Sequence, residues 1–190
     1  MGYISLIIGC MFAQKTTELL RRVKRYKSIG YKVLIVNFIE DTRYGTECVA
    51  SHDNEIEKAL CVAKLEDINH LICDYDVIAI DEGQFFPDLY KYVTEWADRL
   101  DIHIVVSGLD GTSERKPFGD ILNLIPCAEE VVRLSAFCGI CRNGTIGVFS
   151  KYLGVKYDAK EIGVKQADAK QADAKQIGVN YIPVCRKHYN

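Results

Sequence analysis

Residues 3–30 read YISLIIGCMFAQKTTELLRRVKRYKSIG, and the fold turns on how this stretch divides. The first seven residues, YISLIIG, form a short apolar run of the kind that makes a buried strand. The run leads straight into Gly9-Cys10-Met11-Phe12-Ala13-Gln14-Lys15-Thr16. Beyond it Leu19, Leu20, Val23 and Tyr26 recur at the spacing of one helix face, and Gly30 offers a stop. Strand, loop, helix is the setting of a phosphate-binding loop, and the eight residues meet the pattern G-x-x-x-x-G-K-[ST] at every specified position except Gln14. Backbone N–H groups in such a loop point inward, and the following helix presents its positive end. Lys15 would reach the outer phosphates, and the Thr16 hydroxyl would serve Mg²⁺. A plain strand-to-helix turn holding a lysine has the same letters. The position between an apolar strand and an amphipathic helix favours the phosphate site.

Outward from this unit the pattern repeats. KVLIVNF (32–38), DVIAID (76–81) and IHIVVSG (102–108) are further apolar strands, and DLYKYVTEWADRL (88–100) has helical periodicity. Alternating apolar strands and helices predict an α/β fold with a parallel sheet covered on both faces. After about Phe137 the alternation stops and short cysteine motifs begin, so residues 1–136 are expected to form a nucleotide-binding domain and 137–190 a small zinc module. Within 154–180 the pentapeptide Gln-Ala-Asp-Ala-Lys occurs twice in tandem, flanked by Ile-Gly-Val on both sides. Few of these residues suit a core, which predicts a solvated loop or weak helix.

The chain of 190 residues suffices for one domain with a small appendage, and its net charge of −2 gives no argument for nucleic acid or a membrane surface. No apolar run approaches the ~18 residues of a membrane span. The start, MGYISLIIGC, lacks the basic and apolar regions of a signal peptide. A cytoplasmic location is therefore expected. Thiols stay reduced there, so the eight cysteines call for metal, chemistry or burial rather than disulfides.

Three other stretches bear chemistry. IAIDEGQFFPD (78–88) ends an apolar strand in Asp81-Glu82, at the sheet edge where ligands of open α/β sheets bind. Asp81 could hold Mg²⁺, and Glu82 could take the proton of an attacking hydroxyl. A polar strand cap is the plainer reading, made less attractive by the phosphate-loop pattern. Cys138-x2-Cys141 and Cys185-x2-His188 together provide a Cys₃His set. Four protein ligands leave no open position, so the zinc would be structural. Cys10, Cys48, Cys61, Cys73 and Cys127 sit mostly beside apolar residues and are expected in the core. EDTRYG (40–45) brings Arg43 beside the phosphate site, where an arginine can clamp a phosphoryl group. SGLDGTSERKPFG (107–119) follows the fourth strand and says little alone. Arg21, Arg22, Lys24, Arg25 and Lys27 read as the wet face of the first helix.

Taken in order, the blocks GCMFAQKTTELLRRVKRY, DTRYG, IDEGQFFPD, LDGTSERKPFGDILNLIP, FSKYLG and YIPVCRK resemble the zinc-containing thymidine kinases of the cellular and poxvirus type. The resemblance covers about 3–153 and 181–189. It implies a P-loop parallel sheet flanked by helices and a small zinc-binding domain carrying a lasso loop, in a homotetramer. By the same resemblance Gly9, Cys10, Met11, Phe12, Ala13, Gln14, Lys15 and Thr16 would cradle ATP, and Asp41, Thr42, Arg43, Asp81, Glu82, Gly83 and Gln84 would line the phosphate and sugar region. Glu82 would be the general base toward the 5′-hydroxyl, with Lys15 and Arg43 as its catalytic companions. Met11, Phe85 and Leu109 would pack on the base, with Ser113, Ser150 and Tyr181 around the nucleoside. Thr16 and Asp81 would serve Mg²⁺, and Cys138, Cys141, Cys185 and His188 would hold zinc.

The chain departs from that pattern at several points. Cys10 stands where a proline is usual, Gln14 for the last loop glycine, and Ser113 for an aromatic ring. Ile177-Gly178-Val179 replaces Ile-Gly-Gly before the lasso tyrosine, and His188 replaces a cysteine, an equally competent ligand. These features frame two readings. One is an enzyme that uses ATP to phosphorylate thymidine or deoxyuridine. The other is a family member with impaired ATP binding that acts as a non-catalytic subunit. A different P-loop kinase is disfavoured by the zinc knuckles.

Overall fold

The computed structural model describes residues 1–39, 48–50, 56–154 and 180–190. The expected strand, loop and helix are present as β1 (Tyr3–Gly9) and α1 (Lys15–Ser28). Gly30 closes the helix at φ +87, a left-handed geometry that glycine adopts without strain, and its N–H reaches the Lys27 carbonyl at 3.0 Å. β2 (Val33–Phe38) follows, then β3 (Cys48–Ala50), β4 (Ile56–Lys58) and β5 (Leu60–Val62). β6 (Val77–Ile80), α2 (Leu89–Leu100), β7 (His103–Leu109) and β8 (Glu130–Leu134) complete the larger part.

Among the described residues, six strands form one parallel sheet in the order β5-β2-β6-β7-β1-β8. Alternation along each strand sends neighbours to opposite faces. Ile7, Ile35, Ala79 and Val105 face α1 and pack on Leu19, Leu20 and Val23. Leu6, Ile8, Ile78, Ile80, Ile104 and Val106 face the other way, onto Leu89, Val93 and Trp96 of α2 and onto Leu65, Ile68 and Ile72. Those last three lie on a 3₁₀ run, Leu65–Asp74, and turn inward at spacings of three and four residues. Trp96 is fully buried, and its indole N–H donates to Asn69 Oδ1 at 2.8 Å, so the ring is buried with its polar atom satisfied.

Two strands of this sheet, β5 and β8, lie outside the sequence expectation, and both are edge strands. β8 alternates half-buried and exposed residues: Leu134 packs on the α1 side, while Val131 and Arg133, on the other face, are exposed. Arg22 anchors it. Its guanidinium reaches Glu130 of β8, Ser5 of β1 and, at 2.8 Å, Glu18 one turn back. Arg22 therefore departs from the expected wet face, whereas Arg21, Lys24, Arg25 and Lys27 are exposed. The side-chain bond from Arg21, with Arg22 adding to it against the cost of burial, lowers the Glu18 carboxyl to about 2.

The carboxyl-terminal part is built from short antiparallel pairs. β9 (Ala136–Phe137) pairs with β10 (Ile146–Gly147), and β11 (Phe149–Tyr152) with β12 (Tyr181–Val184). A last turn of helix, α3 (Arg186–Tyr189), follows β12. No helix among the described residues is long and apolar enough to cross a membrane. Of the cysteines expected in the core, Cys10 is buried, while Cys61 and Cys127 are half-buried. Cys73 is exposed, a correction that follows from its place in the last turn of the 3₁₀ run, off the face carried by Leu65, Ile68 and Ile72. The Cys48 side chain, residues 41–43 and 155–179 lie outside what is described.

Candidate active site and metal centre

The parallel sheet points the ends of β1, β6 and β7 at one edge, and the loops after them carry the site. The loop after β1 is held by its own lysine: Lys15 Nζ donates to the Cys10 carbonyl at 2.9 Å. Burial pushes the Lys15 ammonium below the usual lysine range, and Glu82, Cys10, Asp81 and Asp110 oppose that shift. Thr16, at the first turn of α1, donates from its hydroxyl to Asp81 Oδ2 at 2.8 Å. Ser107 of β7 donates to the other oxygen, Oδ1. The Thr16–Asp81 pair thus puts two hard oxygen donors side by side at the head of the helix, a donor set that suits Mg²⁺.

Glu82 is 6% exposed and stands in the left-handed region, at φ 53 and ψ 39. It turns the chain out of β6 into the short helical turn Gly83–Phe85 and accepts from Gln84 Nε2 at 2.6 Å. Phe12 (φ 61) and Gln14 (φ 60) share this left-handed geometry. Strain of this kind gathers at ligand sites, where the surrounding structure over-determines it.

Linked to Glu82 through Gln84 and the Leu109 N–H is a narrow cleft lined by Met11, Leu109, Ser113, Phe118, Ser150 and Tyr181, together with Gly111 and Thr112. Five of the six residues expected around a nucleoside base are therefore gathered in one place. The sixth, Phe85, is set back and reaches the cleft through Phe118, edge to face at 5.3 Å. Phe118, Gly111 and Thr112 were not singled out from sequence. The signal for them was the loop after a parallel strand, where ligand residues concentrate. The cleft encloses a cavity of about 20 Å³, room for a single water.

The carboxyl-terminal part closes this cleft from above. The Met11 N–H donates to Ser150 Oγ at 3.0 Å, and the Cys10 thiol lies 3.3 Å from the Gly147 carbonyl. At the chain's end the Tyr189 hydroxyl donates to the Ser113 carbonyl at 2.6 Å, and the Arg115 guanidinium lies 4.1 Å over the Tyr189 ring.

The same segment carries the metal set. The ligand atoms of Cys138, Cys141, Cys185 and His188 all lie within 4.8 Å of one another. His188 Nδ1 stands 3.5, 3.3 and 3.5 Å from the sulfurs of Cys138, Cys141 and Cys185. The Cys141 and Cys185 sulfurs are 3.8 Å apart. A tetrahedron with metal–sulfur bonds of about 2.3 Å and a metal–nitrogen bond of about 2.1 Å has S–S edges of about 3.8 Å and S–N edges of about 3.6 Å. The donor set and its edges therefore fit zinc. Burial opposes ionisation of the Cys138 thiol, but N–H groups of Cys141 and Cys185, the His188 ring and the Ile140 N–H outweigh it and lower its pKa to about 5.

With this geometry in place the comparisons are decisive. A family model described as Thymidine kinase matches residues 2–189. The chain belongs to the thymidine kinase family. It is 43% identical to the thymidine kinase of Variola virus over 99% of this chain and 97% of that one. Its identity to the thymidine kinases of Monkeypox virus and Vaccinia virus (strain Western Reserve) is 46%, over 85% of this chain and 89% of theirs. The family resemblance seen in the six sequence blocks is borne out, and with it the enzyme class, a nucleoside kinase. Within the family the expected α/β sheet and the Cys₃His cluster are both present. The expected phosphate-clamp residues Asp41, Thr42 and Arg43 lie outside the described residues.

Proposed function

We propose that the chain transfers the terminal phosphoryl group of ATP to the 5′-hydroxyl of thymidine or deoxyuridine, yielding the monophosphate and ADP. The observation that carries this reading is Met11. It belongs to the phosphate loop and also lines the cleft, so a phosphoryl donor on the loop and a nucleoside in the cleft would meet at one residue.

On this reading Gly9 to Thr16 cradle the ATP phosphates, with Lys15 on the outer ones. Asp41, Thr42 and Arg43 join them from the loop after β2. Thr16 and Asp81 would hold Mg²⁺, which when bound would neutralise charge on the phosphates. Glu82 accepts the proton of the 5′-hydroxyl, and Gly83 lets the chain turn away behind it. Met11, Leu109, Ser113, Ser150 and Tyr181 grip the nucleoside once the narrow cleft widens to admit it, with Phe85 behind Phe118. Ser113 offers no ring in this wall, and the Tyr189–Ser113 contact supports the wall from outside.

The division at 136/137, a homotetrameric assembly, a cytoplasmic location and the lack of nucleic-acid or membrane partners complete the proposal. The non-catalytic reading is not favoured, because Lys15, Thr16, Asp81 and Glu82 all converge on the same edge. The test is ADP release measured with ATP, Mg²⁺ and a panel of nucleosides. Thymidine and deoxyuridine should drive turnover and purine nucleosides should not. ADP release independent of every nucleoside would overturn the reading.

Gln14 supplies a second prediction. A side chain in the left-handed region costs of order 1–2 kcal/mol, and the exposed Gln14 makes no capping bond that offsets it. Glycine adopts the same backbone freely and brings no Cβ near a phosphate. Gln14→Gly is expected to tighten ATP binding by up to about tenfold, the equivalent of about 1.4 kcal/mol. Calorimetric titration of ATP into both forms checks it. Equal or weaker binding in the glycine variant would mean that Gln14 costs the site nothing.

A further inference from the structure

Gln84 was expected among the residues lining the phosphate and sugar region. It is 3% exposed, and both ends of its amide are engaged within the protein. Nε2 donates to Glu82 Oε2 at 2.6 Å, and Oε1 accepts the Leu109 N–H at 2.9 Å. The chain makes room for this bridge with glycines. A Cβ on Gly108 would stand 2.4 Å from Gln84 Oε1, and one on Gly119, itself at φ +58, would stand 2.1 Å from the Gln84 carbonyl oxygen. A side chain at Gly108 would press on the Gln84 side-chain amide, and one at Gly119 on the Gln84 backbone, so the two glycines leave room for Gln84 where it stands.

The partner on the other side needs such a support. Glu82 leaves the extended geometry of β6, so strand geometry does not aim its carboxylate. Three side-chain torsions must be held for it to meet a hydroxyl proton, and an error of about 1 Å in placement can cost about 10²-fold in rate. A neutral amide can hold one carboxylate oxygen without carrying a charge that competes for the proton. The far end of the amide is fixed to Leu109, a wall of the cleft. Lys15 lies within electrostatic reach of both Glu82 and Asp81. Lys15 donates to the Cys10 carbonyl and Asp81 accepts from Thr16 and Ser107, whereas Gln84 Nε2 is a neutral donor to Glu82.

We propose that Gln84 is a positioning residue of the phosphoryl transfer, fixing Glu82 relative to the nucleoside cleft through the chain Leu109 N–H, Gln84 amide, Glu82 carboxylate. This rests on the reading of Glu82 as the base.

The test compares Gln84→Glu, Gln84→Met, Glu82→Gln and the double variant Glu82→Gln/Gln84→Met by kcat and thymidine KM, with thermal melting alongside. Gln84→Glu keeps the shape and the acceptor for Leu109 but sets a second carboxyl against Glu82, where the two share a proton, so it reads out the need for a neutral donor; Gln84→Met removes both hydrogen bonds at similar length. Both Gln84 variants are expected to lower kcat by about 10- to 100-fold with KM held within about threefold. In the Glu82→Gln background, where there is no base left to aim, Gln84→Met should lower kcat by less than about threefold, the non-additivity of two groups acting as one. The proposal is overturned if Gln84→Glu retains wild-type kcat, or if Gln84→Met multiplies the loss equally in both backgrounds. A Glu82→Gln enzyme with wild-type kcat would instead overturn the assignment of the base, and this proposal with it.

Discussion

Glu82→Gln is expected to lower kcat by about 10²–10⁴-fold while thymidine still binds. A hydroxyl attacks phosphorus poorly until its proton has an acceptor. The described carboxylates at the loop edge are Asp81, Glu82 and Asp110. Asp81 has an oxygen committed to each of Thr16 and Ser107, and Asp110 is held by Arg133 at 2.8 Å. Glu82 is the one tied through Gln84 to Leu109 of the cleft wall. Glutamine keeps its length and shape and can still face Gln84, so folding and nucleoside binding should survive and the loss should fall on turnover. Steady-state kinetics with a thymidine binding isotherm on the same preparation separates the two. Unchanged turnover would place the proton acceptor elsewhere.

Cys141→Ser is expected to bring bound zinc from about one per chain to less than about a tenth of that, and to release the carboxyl-terminal part from the sheet. The knuckles are the main tie within this part. β9–β10 pairs over two residues a side and β11–β12 over four, too little to be stable alone. Loss of the metal also frees α3, and with it the Tyr189 hydroxyl that supports the Ser113 wall. Turnover should therefore fall by about tenfold or more as the cleft loses its outer support. The sheet has its own cores on both faces and should stay folded. Metal analysis, limited proteolysis and far-ultraviolet circular dichroism read these three outcomes. Zinc-free wild-type protein, purified without chelator, would remove the idea.

The fold was legible where local pattern and burial coincide. β1, β2, β6 and β7 are buried on both faces, so each shows as a continuous apolar run. α1 and α2 each bury one stripe, so each shows as a 3.6-residue period. β5 and β8 escaped because edge strands are half-buried and carry no continuous run. The 3₁₀ run Leu65–Asp74 escaped because its flanks carry no cap signal. Arg22 was misjudged for a related reason: its partners Glu130 and Ser5 lie 108 and 17 residues away, and no local pattern announces them.

The sequence by itself determined the residue types of the site and their chemistry. An almost complete phosphate loop, an acid pair ending a strand and a Cys₃His set are each local, and each needs only its own spacing to be read. Only the tertiary structure decided how these parts meet. Met11 touches Ser150, Tyr189 reaches Ser113, and Gln84 bridges Glu82 to Leu109. The physical reason is that a parallel sheet carries the ends of distant strands to one edge, where hydrogen bonds form between residues 2 to 139 positions apart. Spacing along the chain says which groups can do chemistry. Which group aims which is set by the strand order β6-β7-β1 and by the glycines that let their loops come close.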